Sequence, residues 1–230
     1  MKAYKFQSSS RIAFALDIIF NRQLFCADWS RLNDPMEGMF EYSYSSTKGK
    51  DSKEQVEQII REKKRLKVCS LSQTFHSHLL WAHYASGFDG VAVEVDIPEQ
   101  ASEVKIVSYG GLFASVLMDA VTEPSKTARQ ILSSKYREWD YEQEVRILHA
   151  EDFYQLSGPV TRVIAGHRMQ GLRRCTYSVR DGSWLQDLAG LRAAFWTAER
   201  GTKFRFAGAI RLSKSPGCMR PKRYDEFAAS

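Results

Sequence analysis

Long apolar runs are missing from this chain of 230 residues. None approaches the ~18 residues that a membrane-crossing helix needs, and MKAYKF is followed by Gln7 and SSSR with no apolar leader between them. The expectation is a soluble, cytoplasmic protein with no membrane partner. Cysteine is sparse as well: Cys26, Cys69, Cys175 and Cys218 stand far apart, and no CxxC pair occurs. That argues against a zinc site or a disulfide framework; reduced thiols in apolar surroundings act as small hydrophobes. His76, His78 and His83 crowd one stretch, but their spacing matches no standard zinc ligand set, so no metal is expected. No internal repeat or abrupt change of composition divides the chain, which points to one domain over residues 1–230.

What is present is a composition 43% apolar and 12% aromatic, ample for a substantial core. The net charge of +6 is unevenly spread. Residues 159–230 hold 14 Lys/Arg against 5 Asp/Glu, a balance of +9, while residues 1–158 hold 19 against 22, a balance of −3. A basic C-terminal third suits an anionic partner, either nucleic acid or a phosphate-bearing cofactor. It also serves as a plain solubilising surface.

Residues 135–148, KYREWDYEQEVRIL, organise the rest. They end in alternation, with Tyr141, Gln143, Val145 and Ile147 on one face and Glu142, Glu144 and Arg146 on the other. Period two predicts a strand. A half-buried strand normally turns its charges to water. Alternatively, two carboxylates and a guanidinium line the floor of a cleft, where such a trio steadies a developing cation, as glycosidic chemistry requires.

Along the chain, residues 3–6 predict a first strand with Tyr4 and Phe6 on one side and Lys5 on the other. Ser8, Ser9 and Ser10 are N-cap candidates for a helix over 11–22, and 24–27 are extended. Residues 31–38, RLNDPMEG, form a loop, because Pro35 fixes φ and Asp34 bonds the following backbone. It is either a rigid corner or a loop projecting Asn33, Asp34 and Glu37 towards a site. Polar residues 43–53 predict an exposed loop and 53–65 a helix. Residues 66–73, LKVCSLSQ, predict a buried strand with Ser70 and Ser72 on one side. A serine pair there caps or turns the chain, or holds a sugar hydroxyl. Residues 76–86 predict a short helix with Leu80, Trp81 and Tyr84 inward and His83 between them and solvent.

Residues 91–97, VAVEVDI, predict the clearest strand, with 104–109 a neighbouring one. Residues 112–121 and 125–137 are helical by pattern, separated by Pro124. Residues 160–165 predict a strand closed by Gly166, then a helix over 183–198, a last strand over 204–212 and a loose basic tail from about 216. Without a regular βαβ rhythm, the fold class is α+β: two small, mainly antiparallel sheets with flanking helices.

Several of these residues form an ordered set of motifs. Tyr4-Lys5-Phe6, Asn33-Asp34-Pro35, the Ser-x-Ser strand end, Trp81-Ala82-His83-Tyr84 with Gly90, Val107-Ser108-Tyr109, Lys135 with Trp139-x-Tyr141-Glu142-x-Glu144-x-Arg146, and Ile164-Ala165-Gly166 occur in that order. The order resembles a bacterial family known as domain of unknown function 2971, over residues 4 to about 170. That name implies no activity. VCSLSQTF followed by YEQEVRIL is also similar to the Ser-x-Ser and Glu-x-Glu strands of ADP-ribosyltransferases, which bind NAD in a cleft between two small sheets. This resemblance implies NAD as substrate and Glu144 as the catalytic carboxylate, stabilising the oxocarbenium-like state as nicotinamide leaves. It implies Glu142 as the group that prepares an acceptor, protein or nucleic acid. Ser70 and Ser72 would orient the ribose or support Glu144, and Lys5 would pair with a phosphate. The chain departs from the pattern in carrying Lys5 where Arg or His is usual, and Leu71 where Thr is usual. Trp81, Tyr84 or Tyr141 would stack on nicotinamide or adenine, His83 lies beside them, and Arg146 would hold a phosphate or lock Glu142.

The first expectation is therefore an NAD-dependent ADP-ribosyltransferase-like enzyme, in a bacterial defence or toxin-type role. A second function class is a nucleic-acid-binding or metal-dependent nuclease-like protein in phage defence. It rests on the basic C-terminal third and on Asp34, Glu94, Asp96, Glu142 and Glu144 as Mg²⁺ ligands. A third is a non-catalytic interaction module whose charged motifs form a buried structural network.

Overall fold

The computed structural model describes residues 1–45, 53–169 and 176–178. In chain order, β1 (Lys2–Ser8) leads into α1 (Ile12–Asn21), β2 (Gln23–Phe25), β3 (Ala27–Asp28) and β4 (Phe40–Ser43). Next come α2 (Lys53–Lys64), β5 (Lys67–Ser72), α3 (His78–Tyr84), β6 (Gly90–Asp96), β7 (Val104–Ile106), β8 (Ser108–Gly110) and β9 (Ala114–Leu117). Then follow α4 (Pro124–Ile131), β10 (Ser134–Tyr136), β11 (Glu144–His149), β12 (Phe153–Gln155), β13 (Arg162–Ala165) and β14 (Thr176–Ser178). The helix, strand and tail expected beyond residue 178, and most of the 43–53 loop, lie outside the described residues.

An eight-stranded sheet is the frame. Its order is β14-β13-β6-β1-β5-β11-β7, with β3 also on β5, and all its pairings are antiparallel. Three two-stranded sheets surround it: β10–β8 and β4–β9, both parallel, and antiparallel β12–β2. The described residues thus make a single α+β domain. The expected pair of small sheets is instead one large sheet with three small satellites.

Alternation gives the large sheet two distinct faces. On one face, Ala3, Cys69, Leu71, Val91, Val93, Val95, Val145, Ile147, Val163 and Ala165 pack together under Ile12, Ala15, Ile18 and Ile19 of α1. Those α1 positions fall on one stripe at helical spacing. The other face is divided. Tyr4, Phe6, Ala92 and Ile164 pack against Leu80 and Trp81 of α3, while Val68 and Leu148 pack with Leu132 and Leu66. Between these two apolar groups the same face carries Ser70, Ser72, Glu144 and Arg146. Because both faces are covered, Glu94 in β6 is buried. It is met by Lys2, Tyr4 and Arg162.

Several elements differ from expectation, each for a tertiary reason. Residues 112–121 are no helix. They form β9 and a 3-10 turn, because β9 pairs with β4 and Val116 and Met118 insert against Ile59 and Ile131. The helix expected over 125–137 stops at Ile131, and β10 then pairs with β8. Residues 104–109 do not sit beside β6. They break into β7, on the edge next to β11, and β8. Ser8, Ser9 and Ser10 make no side-chain cap on α1, whose N-cap is Arg11. One close approach fixes the end of the sheet: a Cβ on Gly166 would lie 2.1 Å from the Phe88 carbonyl oxygen, so only glycine fits there.

Candidate functional site

The strand expected over 141–147 begins only at Glu144. Residues Arg137–Glu142 wind into a 3-10 helix, and Gln143 turns the chain with φ 43° before β11 starts. Glu142 is therefore not on the strand, yet its carboxylate still meets that of Glu144. The meeting point is Lys135 on β10, whose Nζ lies 2.6 Å from Glu142 Oε2, 3.2 Å from Glu144 Oε2 and 3.3 Å from Glu37 Oε1. Arg146 donates through Nε to Glu144 Oε1 at 2.8 Å, through Nη2 to Glu144 Oε2 at 2.9 Å and through Nη1 to the Leu132 carbonyl at 2.7 Å. Its Nη2 also bonds Glu37. Three carboxylates and two cations are thus enclosed together, all nearly inaccessible to water.

Across the ladder, β11 and β5 place Glu144 opposite Ser72 and Arg146 opposite Ser70. The Ser70 hydroxyl lies close enough to Glu144 to help keep its carboxylate ionised. The Ser72 hydroxyl reaches the Glu142 carbonyl oxygen at 2.6 Å and accepts from the Thr74 N–H at 3.1 Å. Tyr109 of β8 accepts the Glu144 N–H at 2.7 Å. The RLNDPMEG loop closes the cluster from the other side. Asp34 Oδ1 accepts the Met36 N–H at 2.9 Å, Glu37 enters the ion cluster, and Asn33 donates to Tyr84 Oη at 2.6 Å. Tyr84 in turn donates to Glu142 Oε1 at 2.5 Å.

The charges are tuned in opposite directions. Burial pushes the Glu144 carboxyl up, but the Arg146 guanidinium and Lys135 outweigh it and hold the pKa at about 2. Burial dominates for Glu37, which sits above its ordinary range despite Arg146 and Lys135. Its Oε2 is buried and makes no hydrogen bond. Burial works against the Lys135 ammonium, and Glu144, Glu142 and Glu37 overcome it, leaving the pKa raised. Burial, followed by Glu142, raises Tyr84.

Outside the cluster stands a wall of rings. Exposed His83 lies 6.3 Å from Tyr84, 6.4 Å from Trp139 and 6.3 Å from Tyr141, and Trp139 is 6.1 Å from Tyr141. Lys135 Nζ sits 4.8 Å from the Trp139 ring centre. A surface hollow between α2 and α4, lined by Gln58, Arg61, Glu62 and Arg65 with Pro124 and Ser125, includes none of these groups.

Of the residues singled out in the sequence, Glu142, Glu144, Arg146, Ser70, Ser72 and Tyr84 come together, with His83 and Tyr141 in the ring wall. Trp81 does not join them. It is a core residue, stacked on Phe88 at 5.3 Å, edge-on to Phe6, and donating through Nε1 to the Phe75 carbonyl. Lys5 is also apart. It alternates with Tyr4 and Phe6 onto the opposite face of the sheet, and its Nζ donates to the Ser70 carbonyl oxygen at 2.8 Å. Arg146 locks Glu144, not Glu142. Sequence reasoning gives Lys135 and Tyr109 no site role; their only signal is their place in the motif order read along the chain. The five carboxylates considered as metal ligands separate, since Glu94 and Asp96 lie near Lys2, away from Glu142 and Glu144. Among the described residues no group of three His, Cys, Asp or Glu is placed to hold a metal ion, and no helix is long and apolar enough to cross a membrane. Neither family models, nor curated proteins, nor solved structures give a match to this chain.

Proposed function

We propose that the chain is an NAD-using glycosyl-transfer enzyme of the ADP-ribosyltransferase type, related to the family known as domain of unknown function 2971. One observation carries this reading: the Ser-x-Ser strand and the Glu-x-Glu segment, far apart in sequence, are adjacent strand ends with Ser72 facing Glu144. Cleavage of the nicotinamide glycosidic bond builds positive charge at the ribose. A carboxylate kept ionised by its neighbours stabilises that charge without giving up a proton. Glu144 has that character, and Glu142, tied to Tyr84, is the partner that readies the acceptor. The ring wall of His83, Tyr84, Trp139 and Tyr141 offers faces on which nicotinamide or adenine stacks. The acceptor is a protein or a nucleic acid. Incubation with NAD, reading nicotinamide release, labelled acceptor and melting temperature, tests the reading. Absence of both turnover and a thermal shift removes it.

A second reading has its own support. Glu144 and Arg146 are 3% and 0% exposed, and an enclosed ion network also serves to hold a non-catalytic interaction module together. Glu144→Gln separates the two. Lost turnover in protein that remains folded supports chemistry, and a loss of stability with turnover retained supports the structural role.

A further inference from the structure

Cys26 and Cys69 are remote in sequence and adjacent in space. β3 and β5 pair with Ala27 opposite Val68 and Asp28 opposite Lys67. One step along that register sets Cys26 opposite Cys69. Both thiols are free and fully buried, and Cys26 Sγ donates to the Leu24 carbonyl oxygen at 3.7 Å. Directly opposed residues in an antiparallel pair have Cα atoms about 4.5–5.5 Å apart, inside the ~4.4–6.8 Å span that a disulfide accepts. The two thiols also differ. The neighbouring Cys26 thiol and the nearby Lys5 charge favour the Cys69 thiolate against burial, while the Cys69 thiol and burial keep the proton on Cys26. Lys5 is present on this face because alternation along β1 directs it here.

We propose that Cys26 and Cys69 form an oxidation site that a hydroperoxide converts into a cross-strand disulfide. The Cys69 thiolate attacks the terminal peroxide oxygen and the O–O bond breaks. The alcohol leaves with a proton, and Cys69 becomes a sulfenic acid. Cys26 sulfur then attacks Cys69 sulfur, the S–O bond breaks, and water leaves with the Cys26 proton. Overall, two thiols and one hydroperoxide give one disulfide, one alcohol and one water. Hydrogen peroxide suits a buried pair because it is small. The bond would tie the root of the 29–38 loop, which carries Asn33 and Glu37, to the strand that carries Ser70 and Ser72. The inference does not depend on the NAD reading.

The test treats the full chain with hydrogen peroxide or with a dithiol reductant, then quenches, unfolds, alkylates and digests it without reduction. The expected result is loss of alkylation at both positions and a linked peptide pair joining 26 to 69, two hydrogens lighter than the separate peptides and released by the reductant. In Cys26→Ser, Cys69 should instead be trapped by a cyclic dione as its sulfenic acid. Should that variant not fold, the wild-type peptide map decides. Full alkylation of both cysteines after peroxide, sulfinic or sulfonic acid without a bridge, or bridges from either one to Cys175 or Cys218 would overturn the proposal.

Discussion

Arg146 grips both carboxylate oxygens of Glu144, its neighbour two positions back on the same strand, at 2.8 Å and 2.9 Å. A strand puts such neighbours on one face, and here that face is sealed. A bidentate pair of this kind is strong in geometry, but its desolvation offsets much of the attraction. Its main consequence is that neither partner tolerates losing the other.

Arg146→Ala should therefore destabilise the protein by about 3–5 kcal/mol, since it leaves three buried carboxylates, Glu37, Glu142 and Glu144, sharing Lys135 alone. Glu37→Gln should be far milder, because it leaves two carboxylates facing two cations and keeps an oxygen that accepts from Arg146 and Lys135. Urea unfolding of both variants checks the ranking. Equal losses would contradict it.

Acid should act on Glu144 and Glu37 with opposite signs. Glu144 has its folded pKa depressed to about 2, so its stabilisation is present above the ordinary glutamate value and is lost as pH falls from about 5 towards 2. Glu37 has its folded pKa raised, mainly by burial. The native state then holds its proton more tightly than the unfolded chain does, and stability from this group is lost as pH rises above the ordinary value. Stability-versus-pH curves should show a shallower acid limb in Glu144→Gln, and a relative gain above about pH 5 in Glu37→Gln.

Lys63 gives a third pH signature. It is buried beside Trp29, its Nζ 4.2 Å from that ring centre, and it donates to the Gly38 carbonyl. Burial lowers its pKa to about 8. Between there and the ordinary value of about 10.4 the unfolded chain binds more protons, so stability should rise with pH. In Lys63→Met that rise should be missing, with the stem packing retained. Thermal melts across this range would show it.

If NAD is the substrate, Trp139→Ala should weaken its binding by roughly 10-fold, the scale of one lost stacking face at about 1–3 kcal/mol. Tyr84→Phe should instead reduce turnover, because it unlinks Glu142 from Asn33 while keeping the ring. Calorimetric titration and nicotinamide release measure the two separately. Identical effects from both variants would argue against distinct roles.

Much of the framework was legible because it rests on local patterning. β1, β5, β6, α1 and α2 follow directly from period two or helical spacing. The Asp34 turn and the reach of Asn33 and Glu37 follow from loop chemistry. What failed depended on partners remote in sequence. Residues 112–121 contain a usable alternation at Ala114, Val116 and Met118, but only pairing with β4 selects it over a helix. Whether Glu144 and Arg146 face water turns on Leu132, Glu37 and Lys135 covering them, and no spacing rule on one strand reveals a cover. Lys5 was assigned to the site by motif, although its alternation with Tyr4 and Phe6 already put it on the other side from them.

The ion cluster draws on the 33–37 loop, Tyr84 at the end of α3, Lys135 on β10 and the turn into β11. No stretch of contiguous chain can assemble it. A folding intermediate with only β5 and β11 joined would leave Arg146 and Glu144 solvated. The cost of drying these five charges therefore falls late, when the last of the four segments docks, which favours an all-or-none final step.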